Sequence, residues 1–313
     1  MYKKFFGLRE NPFNVNPDPR YLFFTQAMEE AISALTYGID TRKGFLLLTG
    51  EVGTGKTTLL NRLLDWLRER NVATAFVFNS HLNVNQLFDF ILNDFEIPCE
   101  ERSQSMRQIR LNEWLLERYR EGQAAVLIVD EAQHLSFEVL EEIRMLTNLE
   151  TATEKLLQIV LSGQPELEEK LKLPQLRQLR QRITIRTKTR PLTLEETRGY
   201  ITERLRIAGG DGRDIFSSDA IVAIHKYAKG IPRVTNLLCE HTMINAYVDQ
   251  QTQVAPALVE EVAREFELLE VEPVVSPAVV QESASAEDPL MESLITELIE
   301  RFRQTGKFAR KQS

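Results

Sequence analysis

The sequence has little cysteine, no long apolar run and no excess of positive charge. Its two cysteines, Cys99 and Cys239, lie far apart and outside any CxxC spacing, which argues against a disulfide framework or a cysteine metal site. No segment approaches the roughly 18 apolar residues of a membrane-spanning helix, and the amino terminus, MYKKFFGLRENPF, is too polar for a signal peptide. The net charge of −8 gives no overall attraction to nucleic acid. These absences predict a cytoplasmic protein.

Residues 50–57 read GEVGTGKT, a complete phosphate-binding loop. The loop follows an apolar run typical of a buried strand and precedes a helical pattern, which is the context that the motif requires. Lys56 is expected to reach the β- and γ-phosphates of a nucleotide, and the Thr57 hydroxyl is expected to ligate Mg²⁺. The predicted nucleotide-binding residues are Gly50, Glu51, Val52, Gly53, Thr54, Gly55, Lys56, Thr57 and Thr58.

The segment VLIVDEAQ at 126–133 supplies the second motif of a nucleotide hydrolase. Asp130 ends a predicted strand, where its carboxylate can hold Mg²⁺. Glu131 follows directly, where a carboxylate can polarise a water molecule for attack on the γ-phosphate. Because a small-molecule kinase must exclude that water, the pair favours hydrolysis of ATP over phosphate transfer to a metabolite.

Alternating strands and helices up to residue 190 predict a parallel sheet covered on both faces, so the fold class is an α/β P-loop core. Helices alone follow, and a capping box is predicted at Thr193 and Glu196. We therefore expect four segments: an ATPase core at 1–190, a helical lid at 191–268, a disordered linker at 269–289, and an amphipathic helix with a basic tail at 290–313. The last helix could dock on a partner, on a neighbouring subunit or on its own domain.

Two further positions are candidates for completing the site. Gln164 follows the predicted strand 157–162, where it could orient the attacking water, with Ser162 as the reserve; alternatively Gln164 only opens a turn before Pro165. Arg233, in the first turn of a lid helix, could contact the phosphates, or it could be a surface arginine.

The run from Arg177 to Arg190 contains six basic residues and no carboxylate. One arginine could reach the γ-phosphate bound to a neighbouring subunit, and Arg182 is preferred for this role over Arg180. Alternatively, the run could follow a nucleic-acid backbone or form a solvated charged face.

The opening MYKKFFGLRENPFNVNPDPRYLF, the segments ALTYGI and LSGQPEL, and the DEAQ motif resemble the ExeA/GspA family of secretion-associated AAA+ ATPases. The resemblance covers roughly residues 1–267, and that family is similar to the TnsC/TniB transposition ATPases. It implies ATP-dependent assembly into a ring or filament with active sites shared between subunits. By the same resemblance, Lys56 and Thr57 match the Walker A motif, and Asp130 and Glu131 match the Walker B motif. Gln164 matches the sensor-1 position, Arg182 matches the arginine finger, and Arg233 matches the sensor-2 position.

Three functions remain open on this basis. The first is an ATPase that drives or regulates assembly of a secretion, pilus or export system, and the second is a TnsC-like ATP switch that oligomerises on duplex DNA. The third is a nucleotide-dependent scaffold that recruits a partner through its carboxy-terminal helix. Typical ExeA/GspA proteins continue into a transmembrane helix and a peptidoglycan-binding domain, so we expect any envelope role of this chain to act through a partner.

Overall fold

The computed structural model describes residues 2–14, 19–78, 82–99, 103–210, 212 and 214–268. Within them the strands are β1 Phe45–Thr49, β2 Ala73–Val77, β3 Ala125–Val129, β4 Leu157–Gly163 and β5 Ile185–Lys188. The α-helices are α1 Tyr2–Phe5, α2 Gln26–Asp40, α3 Lys56–Glu69, α4 Val84–Asp94, α5 Gln104–Arg120, α6 Phe137–Leu146, α7 Pro165–Lys172, α8 Arg177–Arg182, α9 Leu194–Ile207, α10 Ser218–Ala228, α11 Pro232–Val248 and α12 Pro256–Glu265.

The five described strands form one sheet in the order β2-β3-β4-β1-β5, and every pair is parallel. The register sets Leu47 beside Leu161 and Leu127 beside Ile159. Because the central strands β3, β4 and β1 are neighbours, the loops at their carboxyl ends meet at one edge of the sheet. Chain order reverses along the sheet at β1, and such a switch point is where open α/β sheets bind ligands.

Both faces of the sheet are buried at the central strands β1, β3 and β4, which explains the continuous apolar run of β1. Phe45 and Leu47 belong to the apolar cluster beneath α4 to α8, while Leu46 and Leu48 belong to the cluster beneath α2 and α3. A strand whose alternate side chains enter two different cores cannot show the apolar–polar alternation of a half-exposed strand. The predicted parallel sheet with helices on both faces is thereby confirmed.

The helices α9 to α12 enclose a third apolar cluster. Thr193 and Glu196 form the predicted capping box at the start of α9, and Pro232 is the first residue of α11. The amino-terminal segment also contributes to this cluster, through Phe6, Phe13 and Tyr21 among others. The described residues, up to 268, form one compact unit. The predicted division at residue 190 stays a prediction.

The predicted linker at 269–289 and the predicted helix with its tail at 290–313 lie outside the described residues. Among the helices that are described, none has the length and apolar character needed to cross a bilayer.

Candidate functional site

The glycine-rich loop joins β1 to α3, as its motif predicts. Gly53 and Gly55 have φ angles of +78° and +99°, a region that glycine adopts without strain. At Gly50, a Cβ atom would lie 1.9 Å from the hydroxyl oxygen of Thr189, so a side chain there would collide with the segment after β5. The loop can therefore fold tightly at the amino end of α3, where backbone N–H groups favour an anion.

Lys56 is buried at the first turn of α3. Its Nζ donates hydrogen bonds to the carbonyl oxygens of Gly50, at 2.7 Å, and Glu51, at 3.0 Å. Burial lowers the pKa of the Lys56 ammonium, although the nearby carboxylates of Glu131 and Asp130 act in the opposite direction. A bound phosphate would stabilise the charged form and give it stronger acceptors than carbonyl oxygens.

The Asp130–Glu131 pair lies next to the loop, at the carboxyl end of β3. Asp130 is buried, and its Oδ1 accepts a hydrogen bond of 2.9 Å from the backbone N of Glu131. Glu131 has a φ of +51°, a left-handed conformation that turns the chain sharply after the strand. Thr57, the next residue of α3 after Lys56, is exposed and lines the same cleft as Glu131.

Gln164 lies at the end of β4, and its side-chain Nε2 donates a 3.0 Å hydrogen bond to Glu131 Oε2. Gln133 donates to the same oxygen at 2.5 Å. Burial alone would raise the pKa of Glu131, but these two hydrogen bonds and the charge of Lys56 outweigh it, so the pKa lies below its usual value. The side chain of the reserve candidate, Ser162, is fully buried, and its hydroxyl has no hydrogen-bond partner among the described residues.

A cleft of about 520 Å³ is lined by Lys56, Thr57 and Glu131, whereas Asp130 and Gln164 lie behind its surface. The glycine-rich loop and α3 form its floor, and α9 and α11 contribute its opposite wall. Arg233 extends from that wall and contacts the loop at Gly53. Its backbone N lies 3.4 Å from the carbonyl oxygen of Gly53, and a Cβ added at Gly53 would lie only 2.8 Å from the Cβ of Arg233. The structure thus brings the predicted sensor arginine onto the phosphate-binding loop.

Other cleft residues were not singled out from the sequence. Arg204 is buried beside the cleft, where it lies over the ring of Tyr21 at 4.8 Å and donates to Pro12 O at 2.6 Å and to the Tyr200 hydroxyl at 2.9 Å. Tyr200 in turn donates to Asn236 Oδ1. The amino-terminal segment contributes both to the cleft and to the core, since Tyr21 lines the cleft and also lies in the apolar cluster of α9 to α12.

The basic run divides into paired and unpaired charges. Lys188 pairs with Glu168 at 2.8 Å, and Arg190 pairs with Glu196 at 3.0 Å. Arg182 ends α8 outside the cleft, half-buried, and pairs with no carboxylate among the described residues. Its charge is felt at Glu150, whose pKa is lowered first by Lys155 and also by Arg182. The structure therefore does not bring Arg182 together with the nucleotide residues of its own chain.

The residues present fit a nucleotide with a divalent cation. At Gly50 and Gly53 a Cβ would collide with Thr189 and Arg233, so the tight backbone of the loop around the buried Lys56 ammonium depends on glycine. No group of three or more metal-ligating side chains occurs in the described part of the chain. Mg²⁺ suits such a site, because it is commonly held by one or two carboxylates together with phosphate oxygens and water. Thr57 and Asp130 are the groups that would contribute to holding it.

Comparison with known proteins agrees with these features. A family model described as an AAA domain matches residues 39–171. General secretion pathway protein A of Aeromonas hydrophila is 43% identical over 248 residues, which make up 79% of this chain and 45% of that protein. The chain thus spans less than half the length of this relative.

Solved structures share the fold at low sequence identity. Cdc6p of Pyrobaculum aerophilum matches with a TM-score of 0.59 and 18% identity, over 80% of this chain and 71% of that chain. Drosophila ORC bound to DNA matches with a TM-score of 0.60 and 17% identity, over 82% of this chain and 64% of that chain. The Thermotoga maritima RuvB Holliday junction branch migration motor matches with a TM-score of 0.51 and 17% identity, over 77% of this chain and 69% of that chain. At these identities the likeness concerns the fold, which is the predicted P-loop core. Taken with the 43% identical relative and the AAA-domain match, the motifs show that the chain belongs to the ExeA/GspA-like AAA proteins.

Proposed function

We propose that this protein is an ATPase that binds ATP with Mg²⁺ and hydrolyses it to ADP and phosphate. The observation that carries the proposal is the meeting of Lys56, Glu131 and Gln164 at one sheet edge, beside a cleft of about 520 Å³. Small-molecule sites commonly enclose about 300–1,000 Å³, so the cleft has the size of a nucleotide site. The glycine-rich loop on its floor can bind the phosphates, and Glu131 at its edge can act as the base for water.

Each residue has a task that follows from its position. The ammonium of Lys56 exchanges loop carbonyl oxygens for phosphate oxygens. Thr57 and Asp130 hold Mg²⁺, which when bound offsets negative charge on the phosphates. Glu131, kept ionised by its lowered pKa, accepts a proton from the attacking water, and the Gln164 amide orients that water.

The same proposal places the active site at a contact between subunits. Arg182 lies outside the cleft of its own chain and has no carboxylate partner among the described residues. A guanidinium in that position is free to stabilise the charge that develops on a phosphate held by a neighbouring copy. Arg233, which already touches the phosphate-binding loop, serves the site within its own chain.

For the biological process, we propose a role on the cytoplasmic side of a bacterial secretion, pilus or export system. The support is the 43% identity to General secretion pathway protein A, a name that itself refers to secretion. The partner would be a component of that machinery, and the working form would be an ATP-dependent ring or filament of this chain.

The first test is nucleotide binding by Lys56→Ala. We expect ATP affinity to fall roughly a hundredfold, since hydrogen bonds of a charged group contribute about 1.5–3 kcal/mol and the ammonium is the main positive charge on the loop. Isothermal titration calorimetry with ATP and Mg²⁺ measures the change in Kd. Lys43→Ala is the matched control, because Lys43 is an exposed lysine at the opposite end of β1. Unchanged affinity in Lys56→Ala would refute the assigned loop, and a wild type that binds no ATP would refute the proposed function.

A second candidate function, an ATP switch that assembles on duplex DNA, is favoured by the unpaired part of the basic run. Arg177 and Arg186 are exposed, and neither pairs with a carboxylate in the described residues. For such a switch, we expect duplex binding to require ATP and to weaken steeply as the salt concentration rises. In Arg186→Ala, the slope of log affinity against log salt concentration should fall by about one, the amount expected for one lost phosphate contact. Fluorescence anisotropy of a labelled duplex at several salt concentrations measures both. Arg264→Ala, an exposed arginine of α12, is the control, and ATP-independent or salt-insensitive binding would count against the switch.

A further inference from the structure

The carboxylate of Glu131 is held by a glutamine that the proposed chemistry does not use. Gln133 lies in a 3-10 turn, Ala132–His134, directly after Glu131. Its Nε2 donates to Glu131 Oε2 at 2.5 Å, and its Oε1 accepts from the backbone N of Gln164 at 3.1 Å. Both ends of the amide are therefore engaged, which fixes the amide plane between the Walker B and sensor-1 segments.

The surroundings are shaped to keep that amide in place. A Cβ atom at Gly163 would lie 2.8 Å from Gln133 Oε1, so the glycine at the end of β4 leaves room for the side chain. From α7, Lys170 Nζ donates to the carbonyl oxygens of Gln133, at 3.0 Å, and of Leu135. This lysine ties the 3-10 turn to the helix that begins beside Gln164.

The hydrogen bonds that reach the Glu131 carboxylate fall on one oxygen. Gln133 and Gln164 both donate to Oε2, and within the described residues no hydrogen bond reaches Oε1. A carboxylate held in this way can rotate little, because two donors at Oε2 define its plane. Oε1 is then the oxygen left to receive a proton from water.

We propose that Gln133 is a positioning residue for ATP hydrolysis, which holds Glu131 by Oε2 so that Oε1 faces the attacking water. This inference rests on the proposed function. Gln164 can donate one N–H to Glu131 and still offer its second N–H and its amide oxygen to the water. Both ends of the Gln133 amide, in contrast, are bonded to protein groups, so this side chain only holds the carboxylate. Gln133 thus acts through Glu131 and does not touch the nucleotide.

The test is Gln133→Met, which keeps the length of the side chain and removes both hydrogen bonds. We expect kcat for ATP to fall roughly tenfold, the size expected when a hydrogen bond to a charged group is lost, while ATP affinity and Tm stay close to wild type. Gln133→Asn, which stays polar but is too short to reach both partners, should behave in the same way and serves if the methionine variant folds poorly. Gln251→Met, at an exposed position after α11, is the matched control and should leave all three quantities unchanged.

Repeating Gln133→Met in a Glu131→Gln background distinguishes a positioning role, which acts through the Glu131 carboxylate, from a merely structural one. If Gln133 acts through the Glu131 carboxylate, single-turnover hydrolysis in that background should show no further loss. An equal loss in both backgrounds, or wild-type kcat in both Gln133 single variants, would overturn the assignment while leaving the proposed function standing. A wild-type protein without ATP turnover would instead overturn the proposed function, and this inference with it.

Discussion

Replacing Glu131 by glutamine is expected to lower ATP turnover on the order of 10²- to 10⁴-fold, the contribution typical of general acid–base catalysis. The substitution keeps the shape of the side chain but removes the oxygen that accepts the proton. ATP affinity should stay within about threefold of wild type, because Lys56 and the glycine-rich loop, which are expected to bind the phosphates, are unchanged. A coupled assay for released phosphate gives kcat, and calorimetry gives Kd.

Glu138→Gln provides the control for this experiment. Glu138 is an exposed glutamate in the first turn of α6, so losing its charge should leave turnover unchanged. Near-normal turnover in Glu131→Gln would assign the base to another residue. A joint loss of binding and turnover would show that Glu131 helps to hold the nucleotide, since its charge also favours the protonated form of Lys56.

Features set by neighbours in sequence could be predicted from the chain alone. The phosphate-binding loop needs glycines at positions with positive φ, and Gly53 and Gly55 supply them within four residues of Lys56. The capping box of Thr193 and Glu196 and the start of α11 at Pro232 are equally local. The meeting of the two motifs followed from one general rule, that the carboxyl ends of neighbouring parallel strands share an edge of the sheet.

Features that depend on distant pairs could not be predicted in this way. The buried bond from Arg204 to Pro12 joins residues 192 positions apart, and no local pattern indicates that the amino-terminal segment packs on α9 to α12. The bond from Gln164 to Gln133 has the same character, since a glutamine in DEAQ carries no signal of the amide that it will meet. The short helix α8 buries Leu179 in the apolar cluster beneath α4 to α8, and its six residues are too few to show a periodic pattern of their own.

The position of Arg182 leads to the second large effect. Arg182→Ala alone should lower turnover roughly 10³-fold or more, the effect typical of a trans-acting arginine, without weakening ATP binding to the isolated chain. Mixing it with Glu131→Gln should restore part of the activity. In the mixture, a subunit with intact Glu131 can lie beside a subunit with intact Arg182, and roughly a quarter of head-to-tail interfaces in a random equimolar assembly are of this kind.

The measurement is ATP turnover of each variant alone and of the mixture. Co-purification through two different tags verifies that mixed assemblies form. Arg177→Ala is the matched control, since it lies in the same basic run at the other end of α8 and should be active without mixing. A mixed assembly without rescue would mean that Arg182 acts within its own chain or not at all. Arg180→Ala, measured in the same way, then tests the next arginine. Rescue is the decisive result because neither parent contains a complete site, so any activity above both must arise where one copy supplies the base and the other the guanidinium.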